Sequence, residues 1–161
     1  MTKAVYPGSF DPITKGHADV ITRGSRIFDQ VIVAVARNPH KRALFTMDER
    51  MDMIRHEARR LKNVKVDTFE GMLIDYVKKQ GTNVILRGIR TVSDFEYEFQ
   101  MALTNRTLDR AMETVFIVTS EEYSFMNSTL IKEVAALGGD THAFVSAEVG
   151  RKLRQKLSSQ Y

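Results

Sequence analysis

The chain has 161 residues, enough for one domain with a full-sized apolar core. It is 43% hydrophobic and 27% charged and contains no cysteine, which is typical of a globular protein and excludes disulfides and thiolate metal sites. The formal net charge of +4 favours an anionic partner, such as a nucleotide or a nucleic acid, without choosing between them.

Neither a membrane span nor a secretory signal is visible in the sequence. The longest apolar run, at residues 31–36, is far too short to cross a bilayer. The first residues lack a basic segment followed by an apolar stretch and a small-residue cleavage site. We therefore expect a cytoplasmic protein that has no membrane partner.

In chain order, short β-branched runs alternate with segments of helical spacing. The runs predict strands at residues 4–6, 31–36, 64–66, 84–86 and 115–118. The clearest helical stripe consists of Met47, Met51, Ile54, Ala58 and Leu61. Thr46 and Glu49 stand at its start with the spacing of a capping box, and glycines at 81 and 138–139 end two further stripes. The basic tail, residues 151–156, has the pattern of a solvated amphipathic helix.

This alternation predicts an α/β fold, namely a doubly wound, Rossmann-like five-stranded parallel sheet with helices on both faces. One domain is expected over residues 1–161, with the strand order 3-2-1-4-5. Ligands of such sheets bind beyond the carboxyl ends of the strands, so the chemistry is expected in the loops at that edge. Pro7, Pro12 and Pro39 are each expected to follow a strand there.

The loop after the first strand reads Y-P-G-S-F-D-P-I-T-K-G-H, residues 6–17. Gly8 lets a ligand approach the main chain, and Ser9 offers a small hydroxyl. A helix is expected to begin near residues 14–16, which places His17 in its first turn, where amides and the helix dipole favour an anion. Neither common phosphate-loop fingerprint occurs, and a single histidine at a helix start is more often a capping or surface residue. The constrained loop at the predicted ligand edge nevertheless favours phosphate binding by His17.

Residues 14–17, T-K-G-H, resemble the [HT]-x-G-H signature of the nucleotidyltransferase superfamily. Within that superfamily the chain closely resembles the bacterial phosphopantetheine adenylyltransferase family. The similarity continues through N-P-H-K at 38–41, R-G-I-R at 87–90, D-F-E-Y-E at 94–98 and Y-S-F-M-N-S-T at 123–129. Several motifs in this order are far more specific than any one of them alone.

The resemblance implies an enzyme of coenzyme A biosynthesis that transfers the adenylyl group of ATP to 4′-phosphopantetheine, giving dephospho-coenzyme A and pyrophosphate. It implies direct in-line attack without a covalent enzyme intermediate. The attacking phosphate is already an oxyanion near neutral pH, so alignment and charge stabilisation remain for the protein. The sequence fits this chemistry, because it shows no obvious Ser-His-Asp or Cys-His set. The resemblance also implies a homohexamer and coenzyme A as a feedback ligand. Mg²⁺ is expected to arrive with ATP, because it neutralises the triphosphate, and no protein metal site is expected, because the sequence shows no dense carboxylate cluster and no paired histidine spacing.

By resemblance, the catalytic residues are His17, Lys41 and Arg90. The resemblance also implies ATP contacts at Ser9, Phe10, His17, Gly88, Ile89, Arg90, Glu98, Tyr123, Ser124, Phe125, Met126, Asn127, Ser128 and Thr129. It implies phosphopantetheine contacts at Ser9, Lys41, Leu73 and Arg87. Judged from the residues alone, Leu73 equally fits an apolar core, and Glu98 equally fits a solvated helix face.

One motif departs from the superfamily pattern. Where I-S-S-T-x-x-R is common, residues 126–132 read M-N-S-T-L-I-K. Asn127 offers an amide in place of a hydroxyl, and Lys132 offers a point charge in place of a planar fork. No firm contact is therefore assigned to Lys132.

Three other functions stay open on the sequence. The nearest is another nucleotidyltransferase of the same superfamily that uses a different phosphorylated acceptor. The second is a nucleotide sensor that binds ATP but releases no pyrophosphate. The third is a basic RNA-binding domain, which is disfavoured because the chain has no RNP, KH or helix-turn-helix signature. Nucleic acid is accordingly not expected as a partner.

Overall fold

The computed structural model describes residues 1–37 and 42–158, which form a parallel sheet flanked by α-helices. The strands are β1 (Lys3–Gly8), β2 (Gln30–Ala36), β3 (Val64–Phe69), β4 (Val84–Ile89) and β5 (Glu113–Val118). The helices are α1 (Lys15–Ile27), α2 (Met47–Ala58), α3 (Leu73–Lys79), α4 (Val92–Leu108), α5 (Ser128–Ala136) and α6 (Ala147–Ser158). None of the helices in these two ranges is long and apolar enough to cross a membrane. The strand order β3-β2-β1-β4-β5 confirms the predicted topology.

Alternate side chains of β2 enter two apolar layers. Val31, Val33 and Val35 belong to the layer that contains buried residues of α1 and α2, whereas Ile32 and Ala34 belong to the layer that contains those of α3. Because successive side chains of a strand point to opposite faces, the sheet is covered on both sides. The doubly wound, Rossmann-like architecture is therefore confirmed.

Pro7 lies within β1 and pairs with Ala34, so the expectation that it follows the first strand is wrong. On the other side of β1 a single residue pair connects it to β4, and a proline, which has no N–H, is tolerated where ladder hydrogen bonds are missing. The Pro7 carbonyl instead accepts a hydrogen bond from Arg87 Nη1 at 2.5 Å. Pro12 follows β1 as expected, and Pro39 lies outside the described residues.

The predicted helix ends are present. At the start of α2 the Glu49 amide donates to Thr46 Oγ1 at 3.3 Å and the Thr46 amide donates to Glu49 Oε2 at 2.7 Å, which is the expected capping box. Gly81 and Gly138 follow α3 and α5 with φ of +69° and +77°, in the left-handed region that favours glycine. The basic tail lies in α6, where Leu153 is buried, as an amphipathic helix requires.

Gly24 marks a close approach of α1 to the sheet. A Cβ at this position would lie 2.7 Å from Leu86 Cδ2, and Leu86 is fully buried. Gly24→Ala is therefore expected to lower the free energy of unfolding by about 1–3 kcal/mol through overpacking. This loss is a net value, because the overpacking outweighs the higher helix propensity of alanine, which alone would stabilise the helix by roughly 1 kcal/mol. Urea unfolding followed by circular dichroism measures the difference.

Gly150→Ala in α6 is the matched control. A Cβ there would meet Thr141 Oγ1 at 3.4 Å, which is an ordinary contact, so the helix preference of alanine should stabilise the protein by about 0.5–1 kcal/mol. The same substitution in two helices is thus expected to have opposite signs. A Gly24→Ala protein as stable as the wild type would contradict the packing argument.

Candidate active site

A cavity of about 240 Å³ lies beyond the carboxyl ends of β1 and β4, which are neighbours in the sheet. We call it the main cavity because most of the site residues predicted from the sequence line it. This is the edge where the sequence predicted a ligand site. The walls come from the loop after β1, the start of α1, the segment between β4 and α4, and the start of α5. They include many of the residues singled out in the sequence, namely Ser9, Phe10, His17, Arg87, Gly88, Arg90, Glu98, Met126, Asn127 and Ser128.

Other cavities open beside the main cavity. The α4 groove, of about 380 Å³, has walls that include Leu73, Arg87, Tyr97, Met101 and Asn105. The α5 chamber, of about 200 Å³, has walls that include Asp11, Ala43, Arg50, Thr129 and Lys132. Ser9 lines the main cavity, the α4 groove and the α5 chamber alike. The loop after β1 is therefore where they meet.

His17 is fixed by the helix that it helps to start. Thr14 is the N-cap of α1: its hydroxyl accepts from the His17 amide at 3.2 Å, and its own amide donates to His17 Nδ1 at 3.0 Å. A backbone N–H can only donate, so Nδ1 is the unprotonated ring nitrogen. Nε2 then carries the ring proton of the neutral imidazole. The Phe10 ring packs edge-on against that imidazole, with 5.1 Å between the ring centroids.

The imidazole of His17 is neutral throughout the physiological pH range. Desolvation by burial, together with the positive charges of Arg90 and Arg87, lowers the pKa of His17 to about 3. The ring is therefore suited to donate a hydrogen bond from Nε2 as an uncharged group. The sequence presented capping and phosphate binding as alternatives for this histidine, but its geometry is compatible with both at once.

Arg87 and Glu98 form a bidentate ion pair on the shared wall of the main cavity and the α4 groove. Arg87 Nε donates to Glu98 Oε2 at 2.8 Å, and Nη2 donates to Oε1. Desolvation opposes the charge of Arg87, but the hydrogen bonds and the charge of Glu98 outweigh it and raise the pKa of Arg87. The sequence assigned Arg87 to the acceptor and Glu98 to ATP, whereas the structure pairs them as one unit.

Arg90 connects the start of α4 to the segment before α5. Its Nε and Nη2 donate to the two carboxylate oxygens of Asp94 at 2.8 and 3.1 Å, and its Nη1 donates to the Met126 carbonyl. Thr91 caps α4 by accepting from the Asp94 amide at 3.2 Å, so the carboxylate is itself held in place. Asp94 therefore orients the guanidinium that the sequence had predicted to bind phosphate.

The start of α5 is capped by its own side chain. Asn127 Oδ1 accepts from the amides of Thr129 and Leu130 at 2.8 and 3.4 Å, and Ser128 Oγ donates to the Pro12 carbonyl at 3.0 Å. The resemblance implied ATP contacts at Asn127, Ser128 and Thr129, but the amides of Thr129 and Leu130 already donate to the Asn127 side chain. The Thr129 side chain remains as part of the wall of the α5 chamber.

Several predicted site residues lie elsewhere or outside the described part of the chain. Ile89 is buried in β4. Tyr123, Ser124 and Phe125 line none of the main cavity, the α4 groove and the α5 chamber, as far as residues 1–37 and 42–158 show. Lys41, predicted to be catalytic and to bind the acceptor, lies outside the described residues. The roles of these residues stay predictions.

Sequence reasoning missed three residues with a place in the site. Asp11 and Asp94 lie inside motifs quoted in the sequence analysis, so the motifs could have indicated them as site residues. Asn105 had no such signal, because it is a single polar residue on a helix rich in apolar ones. It is only 8% exposed and lines the α4 groove, and its side chain forms no hydrogen bond with residues 1–37 or 42–158.

Comparison with known proteins first defines the class. The sequence pattern of the family described as cytidylyltransferase-like matches residues 5–134. The bifunctional NMN adenylyltransferase/ADP ribose pyrophosphatase of Francisella tularensis superposes with a TM-score of 0.75 at 15% identity, covering 99% of this chain and 51% of that one. The lipopolysaccharide core biosynthesis protein of Thermoplasma volcanium gives a TM-score of 0.52 at 21% identity, over 74% of this chain and 97% of that one. The structures share the fold, and the family match places the chain in the cytidylyltransferase-like class.

Proteins named phosphopantetheine adenylyltransferase are similar over nearly their whole length. That of Heliobacterium modesticaldum is 53% identical over 156 residues, which cover 97% of this chain and 93% of the relative. That of Dictyoglomus turgidum is 53% identical, with 97% and 98% covered, and that of Carboxydothermus hydrogenoformans is 49% identical, with 99% of both covered. The chain belongs to the phosphopantetheine adenylyltransferase family, which confirms the resemblance seen in the sequence.

Proposed function

We propose that this chain transfers the adenylyl group of ATP to 4′-phosphopantetheine and releases dephospho-coenzyme A and pyrophosphate. Membership of the family supports these substrates. The observation that carries the proposal is the arrangement of the main cavity, where the neutral ring of His17 lies with Arg90 and the start of α5. Donors and cations of this kind suit a phosphate chain that gains negative charge during transfer.

In the proposed mechanism the protein aligns two anions and stabilises the charge that develops between them. The acceptor phosphate oxygen forms a bond to the α-phosphorus as the bond to the departing pyrophosphate breaks. His17 donates from Nε2 to an α-phosphate oxygen, and Arg90, held by Asp94, offsets phosphate charge. No residue needs to act as a nucleophile or a general base, because the acceptor phosphate is already ionised.

The α4 groove is the proposed site of the pantetheine arm. Leu73 and Met101 offer an apolar wall, and Asn105, which is largely buried, presents its amide to the groove among them. Ser9 and Arg87 line both the groove and the main cavity, which suits a phosphate at the end of the arm. Lys41 is proposed as a further contact to that phosphate.

Mg²⁺ is proposed to arrive with ATP and to be held by phosphate oxygens and water. Among the residues that the structure describes, no group of three His, Asp or Glu side chains could hold a metal ion. The main-cavity carboxylates of Asp94 and Glu98 are paired with Arg90 and Arg87. When bound, the ion neutralises the triphosphate and the departing pyrophosphate.

Pyrophosphate release from Mg-ATP, with and without 4′-phosphopantetheine, tests the proposed reaction on the purified protein. We expect release only when the acceptor is present, with dephospho-coenzyme A formed in equal amount. Release without acceptor would contradict adenylyl transfer and indicate hydrolysis. ATP binding without release would favour the sensor or a different acceptor, and a panel of other phosphorylated acceptors separates those two.

Asn105→Leu is expected to raise KM for 4′-phosphopantetheine by about tenfold and to leave KM for ATP unchanged. The acceptor arm contains amide groups, and the loss of one hydrogen bond to a buried partner costs about 1–1.5 kcal/mol. Leucine keeps the volume of the side chain and removes only its polar atoms. Initial rates with each substrate varied in turn give the two KM values.

Thr104→Ala is the control for this substitution, because the Thr104 hydroxyl donates to the Gln100 carbonyl of its own helix at 2.8 Å and the residue is exposed. It should leave both KM values unchanged. An equal rise of KM for ATP in Asn105→Leu would argue against an acceptor role for the α4 groove.

Assembly, feedback and location follow as further proposals. A homohexamer is supported by large apolar side chains that α4 leaves exposed, namely Val92, Phe95, Tyr97, Phe99, Met101, Leu103 and Leu108. Coenzyme A is proposed as a feedback ligand that competes with the acceptor, since it contains the same arm. The cytoplasm, and a single nucleotidyltransferase domain over residues 1–161, remain predictions. Analytical ultracentrifugation measures the assembly.

A further inference from the structure

Asp11 is a buried carboxylate that connects three segments around the active site. The residue is 7% exposed. Its Oδ2 accepts from the Leu44 amide and from Lys132 Nζ, each at 2.9 Å, and its Oδ1 accepts from the Phe45 amide at 2.9 Å. These bonds join the loop after β1 to the segment before α2 and to α5.

Lys132 supplies the positive charge that this buried carboxylate requires. The side chains of Lys132 and Asp11 are 27% and 9% exposed, compared with 59% and 20% for the surface pair of Lys78 and Asp109. Burial opposes the charge of Asp11, but the hydrogen bonds from Lys132 and from the two amides outweigh it and lower the pKa of Asp11. Loss of one partner of such a pair leaves the other uncompensated, which costs more than the pair itself contributes.

The pair lies between two parts of the site that must act on the same nucleotide. Asp11 directly follows Phe10, whose ring packs against His17. Lys132 lies about one turn beyond Ser128, the first residue of α5. A shift of α5 relative to the loop after β1 would therefore change the distance between the His17 donor and the start of α5.

We propose that Lys132 is a positioning residue, which acts through its ion pair with Asp11 to hold the start of α5 at a fixed distance from His17. The consequence is alignment of the α-phosphate with the outer phosphates during transfer. The inference rests on the proposed adenylyl transfer. It requires no direct contact between Lys132 and phosphate, because the proposed effect acts through the ion pair with Asp11.

A double-mutant cycle with Lys132→Met and Asp11→Asn tests the inference in the full chain. Each single variant is expected to lower kcat by about 10–100-fold, the scale of a displacement of about 1 Å, with KM for ATP changed by less than about threefold. The double variant should be no slower than the slower single variant, because the interaction is already lost. Lys132→Arg keeps the ion pair and should stay within about fivefold of the wild type.

Circular dichroism and thermal unfolding of each variant distinguish a loss of folded protein from a loss of kcat through misalignment. Lys78→Met is the control far from the site, and its kcat is expected to be unchanged. A double variant that is slower by the product of the two single effects would show that Lys132 acts on phosphate independently of Asp11. Unchanged kcat per folded molecule in Lys132→Met would show a purely structural pair. Either result overturns the inference. A failure of the proposed function is recognised separately, because the wild type would then show no acceptor-dependent release of pyrophosphate.

Discussion

His17→Ala is expected to lower kcat for adenylyl transfer by about 10²–10³-fold, which is the usual effect of removing one donor to a developing oxyanion. KM for ATP should change far less, because a transition-state interaction contributes little to the ground state. Rapid-quench or steady-state assays of pyrophosphate release measure both parameters. A kcat within a few-fold of the wild type would rule out the role that we give to Nε2.

His17→Gln separates catalysis from helix capping. The Thr14 side chain and an acceptor three residues later form the capping box of α1, and glutamine completes such a box well. Its side-chain oxygen can accept from the Thr14 amide, and its amide nitrogen remains as a donor that is not held in place by a ring. We expect this variant to match the wild type in thermal stability and to have a kcat between those of His17→Ala and the wild type.

The low pKa of His17 predicts the pH profile as well. With a folded pKa of about 3, the ring is already neutral at pH 5, so its charge does not change between pH 5 and 9. kcat/KM for ATP, which reports groups of the unliganded enzyme, should therefore show no loss of activity from His17 in that range. A fall in activity through an ionisation of His17 near its ordinary pKa of about 6.5 would indicate a cationic donor instead.

Arg90→Met is expected to lower kcat/KM for ATP by about 10²-fold or more. The substitution removes charge-assisted hydrogen bonds, each of which is worth about 1.5–3 kcal/mol, and it also leaves the Asp94 carboxylate without its cation beside the proposed phosphate site. An unpaired carboxylate there would repel ATP. Steady-state kinetics with ATP varied at saturating acceptor measure the loss.

A second substitution tests the part of this loss that comes from repulsion. Arg90→Met with Asp94→Asn should recover several-fold in kcat/KM over Arg90→Met alone, because the unpaired charge is gone. Arg90→Lys should fall between the wild type and Arg90→Met, since a point charge cannot hold the Asp94 carboxylate and the Met126 carbonyl as a planar fork does. If all three variants had the kcat/KM for ATP of the wild type, this would argue against the role of Arg90 on phosphate.

The sheet could be predicted because independent local signals agreed. Strand runs, helical stripes, the Thr46 capping box and the glycine at 81 all pointed to the same alternation, and the loops of interest then followed from the strand order. Pro7 was placed wrongly for a reason that is not local. Whether a proline can stay in a strand depends on the ladder hydrogen bonds that its neighbours require, and these become visible only once β1 and β4 are assembled.

The candidate site was predicted as a set of residues but not as a set of pairs. His17 was singled out because its loop follows the first strand at the ligand edge, whereas the role of Arg90 came from the family resemblance. The contact between Asp11 and Lys132 joins positions that are 121 residues apart, so no periodicity or spacing could indicate it. Arg87 and Glu98 were both named, yet their ion pair depends on how α4 packs against β4.

Ser9 lies where the main cavity, the α4 groove and the α5 chamber meet, and this bears on the order of events in a catalytic cycle. Each substrate of the proposed reaction occupies mainly one cavity, but the product joins an adenylate and a pantetheine arm in one molecule across that junction. The two halves of the product are covalently joined. When one half dissociates from its cavity, the other half stays bound, and the free half rebinds at a high effective concentration. The joined product is therefore expected to dissociate more slowly than either substrate does from its own cavity.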